Sequence, residues 1–325
     1  MRSVFVVASL VALAALVGGC IETKQDYTLN PDGSGKVVFE VTVAESPFSM
    51  MGQEGDKPDP EVQARRMVKN LIDGSKGVDT WADVKYARTD DGRTRVSGTA
   101  YFKDFSKLKF QMASMEGVTF AKDDKGGMVL SLEQKDAGKP AATPPNPIPE
   151  DQMAARLEAE RAKYQQIRIM MEAVMAKMKF DLGFLLPGTL TEVSNFRKEP
   201  SGAVRIVFEG AKMLEVMDKL MADDAYVRQA MTSGTGIGPS PKMDDNLREM
   251  LFGAKGPIRA CVTGPFQPRF AYDSEVAAAK TNYPAMVERL GLDKLPEPET
   301  PTMPPGFGLP PGMKGAPAAT PGKTR

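Results

Sequence analysis

Two cysteines and no histidine limit the chemistry open to this 325-residue chain. Without histidine there is no Ser-His-Asp or Cys-His nucleophile system and no His-ligated metal centre. The usual near-neutral general base is missing as well. What remains is carboxylate chemistry, lysine chemistry or a non-catalytic role. Adjacent aspartates at Asp90-Asp91, Asp123-Asp124, Asp223-Asp224 and Asp244-Asp245 are the candidates for the first. Paired carboxylates can serve a glycosidase or a metal. Neighbours on a strand point to opposite faces, and three of these pairs stand beside turn or cap signals, which points to solvated turns and caps. Asn30, Asp32, Ser34 and Gly35 occupy positions 1, 3, 5 and 6 of an EF-type calcium loop, but position 12, which needs a bidentate Glu, is Val41. A turn is expected there, and no metal or other cofactor. Gly234-Thr235-Gly236-Ile237-Gly238 lacks the Lys-Ser/Thr ending of a phosphate loop. Cys261 lies in a strand-like run, sharing a face with Arg259 and Thr263. With no base to activate it, a small packed side chain is expected.

Cys20 carries a different chemistry. Arg2 supplies a short positive start, and Val4 to Leu16 is an apolar run ending in Val17-Gly18-Gly19-Cys20. Such a run is an export signal, shorter than the ~20 residues of a transmembrane helix. The Val17-Gly18-Gly19-Cys20 ending resembles the bacterial lipobox. There the three small residues are recognised, the Cys thiol is lipidated, and the Cys becomes residue one of the mature protein. The resemblance implies a membrane partner through acylated Cys20. It also implies a cell-envelope location, with the outer membrane favoured in a Gram-negative host because Ile21, not Asp, follows. Two or three acyl chains hold a protein where one is marginal. Cys261 is then the only other thiol, so the exported chain has no internal disulfide and relies on its core. The 42 basic and 42 acidic side chains leave no basic excess for nucleic acid.

The elements that would position these residues read as an α+β fold, with antiparallel sheets, packed helices and one long Met-rich helix. Val37, Phe39, Val41 and Val43 alternate behind the turn at 30–35, giving a hairpin. Asp59-Pro60 opens a helix whose stripe is Ala64, Met67, Val68, Leu71 and Ile72, ended by Gly74. Strands follow at Asp83 to Arg88 and Thr94 to Phe102, with Trp81 as a core anchor just before them. A second hairpin spans Val118 to Leu132. A helix from about Pro149 to Lys179 carries Met153, Leu157, Tyr164, Ile167, Met171, Val174 and Met178 at three- and four-residue steps. Its Met170, Met171, Met175 and Met178 could adapt to a lipid or peptide, though core packing is the simpler expectation. Strands at 180–186 and 204–208, an amphipathic helix at 212–221, and a helical stretch from Ser274 to Leu290 broken at Pro284 complete the set. A strand–turn–strand–helix echo between 84–105 and 193–214 points to two similar halves.

The expected organisation is a lipoprotein signal at 1–19, an α+β domain at 20–137 and a linker at 138–149 with five prolines. The long helix and second half occupy 150–290. The tail at 291–325, with nine prolines after residue 295, is too poor in apolar residues to fold.

The lipidated start, the Tyr27-Thr28-Leu29-Asn30-Pro31-Asp32-Gly33-Ser34-Gly35 hairpin and the Phe184-Leu185-Leu186-Pro187-Gly188 turn together resemble the LppM-type bacterial lipoproteins. The resemblance implies a β-rich, partly barrel-like envelope module associated with lipid or glycolipid binding. In place of the C-terminal span frequent in that family, this chain has its Pro-rich tail. The resemblance transfers no binding residues. Three function classes follow: a non-catalytic envelope lipoprotein binding a lipid, glycolipid or protein; a structural scaffold of an envelope assembly; and a carboxylate-based hydrolase.

Overall fold

The computed structural model describes residues 21–44, 59–111, 117–132, 149–232 and 245–295. The signal, Cys20, Asp244, the Gly-rich run at 234–238, linker residues 138–148 and the chain after 295 lie outside them.

The fold is α+β, with two sheets of mostly antiparallel strands. Strands β1 (Ile21–Leu29) and β2 (Gly35–Val43) form the expected hairpin, pairing from Ile21↔Val43 to Leu29↔Gly35. The turn holds itself together. Asp32 Oδ1 accepts from the Ser34 amide (3.0 Å) and hydroxyl (2.7 Å), and Asn30 Nδ2 donates to Ser34 Oγ at 3.1 Å. Asn30 also ties the turn to the rest of the fold, its Oδ1 accepting from the Arg269 amide at 2.8 Å. Helix α1 (Pro60–Gly74) is capped by the Asp59 side chain and buries Ala64, Val68 and Leu71. Strands β3 (Thr80–Arg88) and β4 (Thr94–Phe102) pair around a bulge between Ala82 and Lys85, and Trp81 lies inside β3 rather than before it. Strands β5 (Val118–Lys122) and β6 (Met128–Leu132) are the second hairpin.

Helix α2 (Glu150–Met175) ends four residues before the expected Lys179, which opens β7 (Lys179–Leu185). Then come β8 (Thr189–Ser194), β9 (Arg197–Lys198), β10 (Val204–Glu209), α3 (Gly210–Ala222), α4 (Asp224–Thr232), α5 (Asp245–Phe252), β11 (Ile258–Thr263) and α6 (Tyr272–Leu290). Helix α6 runs unbroken through Pro284. The carbonyl that the proline leaves unbonded belongs to Lys280. Both residues are exposed, so water can take that bond.

The larger sheet has the order β3-β4-β2-β1-β7-β10-β9 and the smaller β5-β6-β11-β8. All pairs are antiparallel except β1–β7, which runs parallel from Glu22↔Lys179 to Thr28↔Leu185. Both sheets therefore contain strands from before and after the 138–149 segment, which is a boundary in neither. The internal echo stops at the sequence. β3 and β4 pair with each other, whereas β8 pairs with β11 in the other sheet. Asn195, at φ 57°, turns the chain out of β8.

The core lies between the sheets and α1. Tyr27, Leu29, Phe39, Phe102 and Phe184 from the larger sheet meet Met128, Leu130, Ile258 and Val262 from the smaller. Trp81 packs against Phe39 and Phe110 at 5.7 and 5.8 Å between ring centres. The tail starts later than residue 291, because Leu292 is buried and Leu295 packs on the same core. Met153, Leu157, Tyr164 and Met171 of α2 form a second cluster with Leu214, Met217 and Met221 of α3 and Val227 of α4. Only one face of α2 is covered this way, and Ile167, expected in its core stripe, is 45% exposed.

Candidate functional site

The residues singled out from sequence fall into separate places. Val17, Gly18, Gly19 and Cys20 lie outside the described residues, immediately before the first residue of β1. Cys261 is on the outward face of β11, half-buried, with its Sγ 3.9 Å from Glu192 Oε2. Burial first, and the Glu192 carboxylate second, push its thiol pKa up. That is the reverse of what a nucleophile needs. It shares the face with Arg259, as the alternation predicts, but it contacts a polar pair rather than packing in the core.

The aspartate pairs act locally. Asp91 accepts from Thr89 and Arg93 in its turn, Asp123 Oδ1 accepts from the Lys125 and Gly127 amides at 2.9 and 2.7 Å, and Asp223 Oδ1 caps Ala225 at 2.8 Å. Among the described residues no three acidic or thiol groups cluster as a metal site.

Carboxylates do converge elsewhere, at a place the sequence did not mark. On the outer face of the larger sheet, Arg205 of β10 is surrounded by three. Its Nη2 lies 2.6 Å from Asp26 Oδ1, its Nε lies 2.6 Å from Glu199 Oε1, and its Nη1 donates to Asp181. The Arg205 side chain is 11% exposed. The Glu199 bond is the largest influence keeping Arg205 protonated, and the same bond holds Glu199 below the usual carboxylate range. Gly183 makes room for the cluster, since a Cβ there would come within 2.5 Å of Asp26 Oδ1 and 2.9 Å of Arg205 Nη2. A glycine inside the alternating run Phe180–Leu186 was the available signal, because a strand glycine often marks close approach.

Beside this cluster, where β7 and β10 meet α3 and α5, is an open cleft of about 310 Å³. Its apolar part is built by Phe208, Met213, Leu251 and Phe252, with the two rings edge-on at 5.2 Å. Its charged rim is Lys179, Arg197 and Lys212 with Asp181 and Glu209. Lys179 pairs with Glu209 at 3.3 Å and Lys212 with Glu215 at 3.0 Å, both on exposed side chains that can exchange partners. An aromatic floor with a few convergent charges suits an amphipathic ligand with a polar head. Lys179 is also the register partner of Glu22, two residues from Cys20.

A second cleft of about 350 Å³ lies on the outer face of β1–β4 and is lined by Lys24, Glu40, Asp83, Lys85 and Thr99, with Val38 half exposed. Asp83, which lines this cleft, takes φ 53° at the β3 bulge. Between the sheets lies a continuous cluster of buried apolar side chains, and Phe39 of that cluster also lines the second cleft.

No family model, curated protein or solved structure matches the chain.

Proposed function

We propose that this chain is a lipid-anchored bacterial cell-envelope protein without catalytic activity. It is held through acylated Cys20, in the outer membrane if the host is Gram-negative, and binds the head of a lipid or glycolipid in the cleft of Lys179, Lys212, Phe208 and Phe252. The observation that carries the reading is continuity. The lipobox ends at residue 20 and β1 begins at Ile21, so the anchor leaves no slack before the strand ends that hold Lys179. A cleft with an apolar floor and a rim of mixed charge that includes Lys179, Arg197 and Lys212, a few residues from the anchor, is placed to meet lipid heads. The filled core favours head recognition over enclosure of acyl chains.

The hydrolase reading is weaker. It needs a carboxyl held protonated near neutral pH, whereas Arg205 holds Glu199 below the usual carboxylate range and is ion-paired with Asp26 and Asp181 as well. An envelope scaffold is the second reading, favoured by Val38, half exposed on the outer face of β2.

Two experiments test the proposal. Cys20→Ala should block processing or release the protein, and unchanged processing and membrane fractionation would contradict the anchor. For the cleft, the chain beginning at Ile21 should bind vesicles containing envelope lipids saturably. Lys179→Glu with Lys212→Glu should weaken that binding about tenfold or more, since each lysine near an anionic surface is worth about 1 kcal/mol. Equal binding by the double variant would remove the cleft from the proposal.

A further inference from the structure

Among the described residues four large apolar side chains stand out in solvent, and three of them are on α2: Ile167, Ile169 and Met170, at 45, 74 and 59% exposure. The opposite face of α2 is occupied. Tyr164 and Arg168 bond Asp218 of α3 at 2.6 and 2.9 Å, and Met171 is buried against the same helix. Ile167 and Met170 are neighbours three apart, and Ile169 stands a further ~100° round, so among the described residues the side of α2 turned away from α3 presents exposed apolar side chains over about 160° of its circumference. Isolated exposed apolar residues are ordinary, but three so close along one outward side make a patch.

Position decides what covers it. Gly210 N donates to Met178 O at 2.8 Å, and a Cβ on Gly210 would fall 1.9 Å from Met175 O. The end of α2, the start of α3 and the start of β7 therefore meet at one end of the strands of the larger sheet. The first residues of β1 are at that end too, with Glu22 opposite Lys179. Cys20 is two residues from Glu22, within about 7 Å of chain. Met170 is five residues from the end of α2, roughly 8 Å along the axis. With Ile21 already in β1, no slack separates this end from the acyl chains. Lys163 lies one heptad before Met170 on the same side of the helix, and Lys177 follows the helix end; both are exposed. Cations flanking an apolar helix face suit a headgroup layer, where lysine stems lie along the acyl boundary and their charges stay wet.

We infer that the face of α2 bearing Ile167, Ile169 and Met170 is a second, non-covalent membrane contact, lying in the headgroup layer of the bilayer that holds Cys20. This rests on the anchored reading of Cys20. The contact fixes how the body sits on the membrane, and brings the rim of Lys179 and Lys212 down to the lipid surface.

The test uses the full-length processed protein carrying Cys261→Ser, with Met170→Cys bearing an environment-sensitive fluorophore. It is reconstituted in phosphatidylethanolamine–phosphatidylglycerol vesicles. A Val38→Cys protein, labelled in the same way, reports a position on the outer sheet face. Mass spectrometry of the N-terminal peptide records whether Cys20 is acylated. With Cys20 acylated, the probe at 170 should shift to the blue and be quenched by shallow spin-labelled lipids at least about twofold more than the probe at 38. Equal, water-like emission from both probes on an acylated protein overturns the contact and leaves the anchor standing. An unacylated Cys20 overturns the anchor, and the contact with it. A blue shift without lipid quenching also overturns the contact. If that shift follows protein concentration, a second copy covers the patch; if it is lost on deleting 296–325, the chain's own tail does. Ile169→Asp with Met170→Asp, which alters only exposed side chains, should leave the melting temperature unchanged and abolish the quenching difference for a probe at Val174→Cys. Retained quenching there would equally overturn the proposal.

Discussion

At the scale of single residues, the unusual feature is a polar chain inside the core. Thr23, Gln25 and Tyr27 are consecutive inward positions on the central strand β1, and all three are buried. Tyr27 Oη donates to Gln25 Oε1 at 2.5 Å, and Gln25 Nε2 donates to Thr23 Oγ1 at 3.1 Å. Tyr27 also stacks on Phe184 at 5.1 Å. Tyr27→Phe keeps the ring but leaves the glutamine oxygen without its donor, so it should cost about 1–3 kcal/mol. Denaturant unfolding followed by Trp81, whose indole is buried on Phe39 and Phe110, would measure it; an unchanged midpoint would show that the bond contributes nothing net. Arg205 makes a pH-dependent prediction. Its bond depresses the folded pKa of Glu199, so that stabilisation is complete above the ordinary value of 4.5 and is lost as pH falls through the lower folded value. Arg205→Met should destabilise by about 1–3 kcal/mol near neutral pH. That is less than the ~3–5 for a fully buried pair because Asp26 is 40% exposed. The gap between wild type and variant should narrow in acid. A gap constant from pH 7 to pH 3 would mean the effect is packing, not charge.

At the scale of elements, close backbone approach joins the helices to the sheet. The Gly210 position leaves no room for a methyl group beside the Met175 carbonyl. Gly210→Ala must therefore separate α2 from α3 and should cost at least the ~1–3 kcal/mol typical of overpacking. Loss of helical signal at lower denaturant than the Trp81 transition would locate the damage in the α2–α4 cluster, whereas coincident, unshifted transitions would contradict the close approach. This scale also shows what was legible in the residues. The 30–35 turn, the Asp59 cap and the period-two strands 94–102 and 204–208 are local signals, and the structure follows them. The broken strand at Asn195 was not legible, because an asparagine in the left-handed region looks the same in sequence as one in a strand. Pro284 misled because its cost depends on whether the freed carbonyl meets water, which is a tertiary fact. The candidate site was the least legible part. Asp26, Asp181, Glu199 and Arg205 are spread over 180 positions and meet only through sheet order. Only Gly183 hinted at them.

At the scale of the molecule, the two long segments on either side of 138–148 are built into each other. The larger sheet takes β1 to β4 from the first and β7, β9 and β10 from the second; the smaller takes β5 and β6 from the first and β8 and β11 from the second. The joints are full ladders, seven pairs between β1 and β7 and five between β6 and β11. Helix α6 also returns to the first segment, where it packs along edge strand β3 and Arg289 bonds the Val84 carbonyl at 3.0 Å. Cutting the chain between would remove no ladder bond. It would expose on each piece the edges and apolar face that the other covers. A protease site placed within 138–148 should therefore yield two fragments that co-elute under native conditions and unfold in one transition. Residues 21–137 and 150–295 produced separately should be insoluble or unfolded, and should regain the buried-Trp81 emission when refolded together. Independent folding of either segment, with dispersed amide resonances on its own, would show that the shared sheets are a docking of two domains rather than one cooperative unit. The membrane contact of α2 depends on that single unit, because it needs the end of α2 and the starts of β1 and β7 held together at one end of the larger sheet.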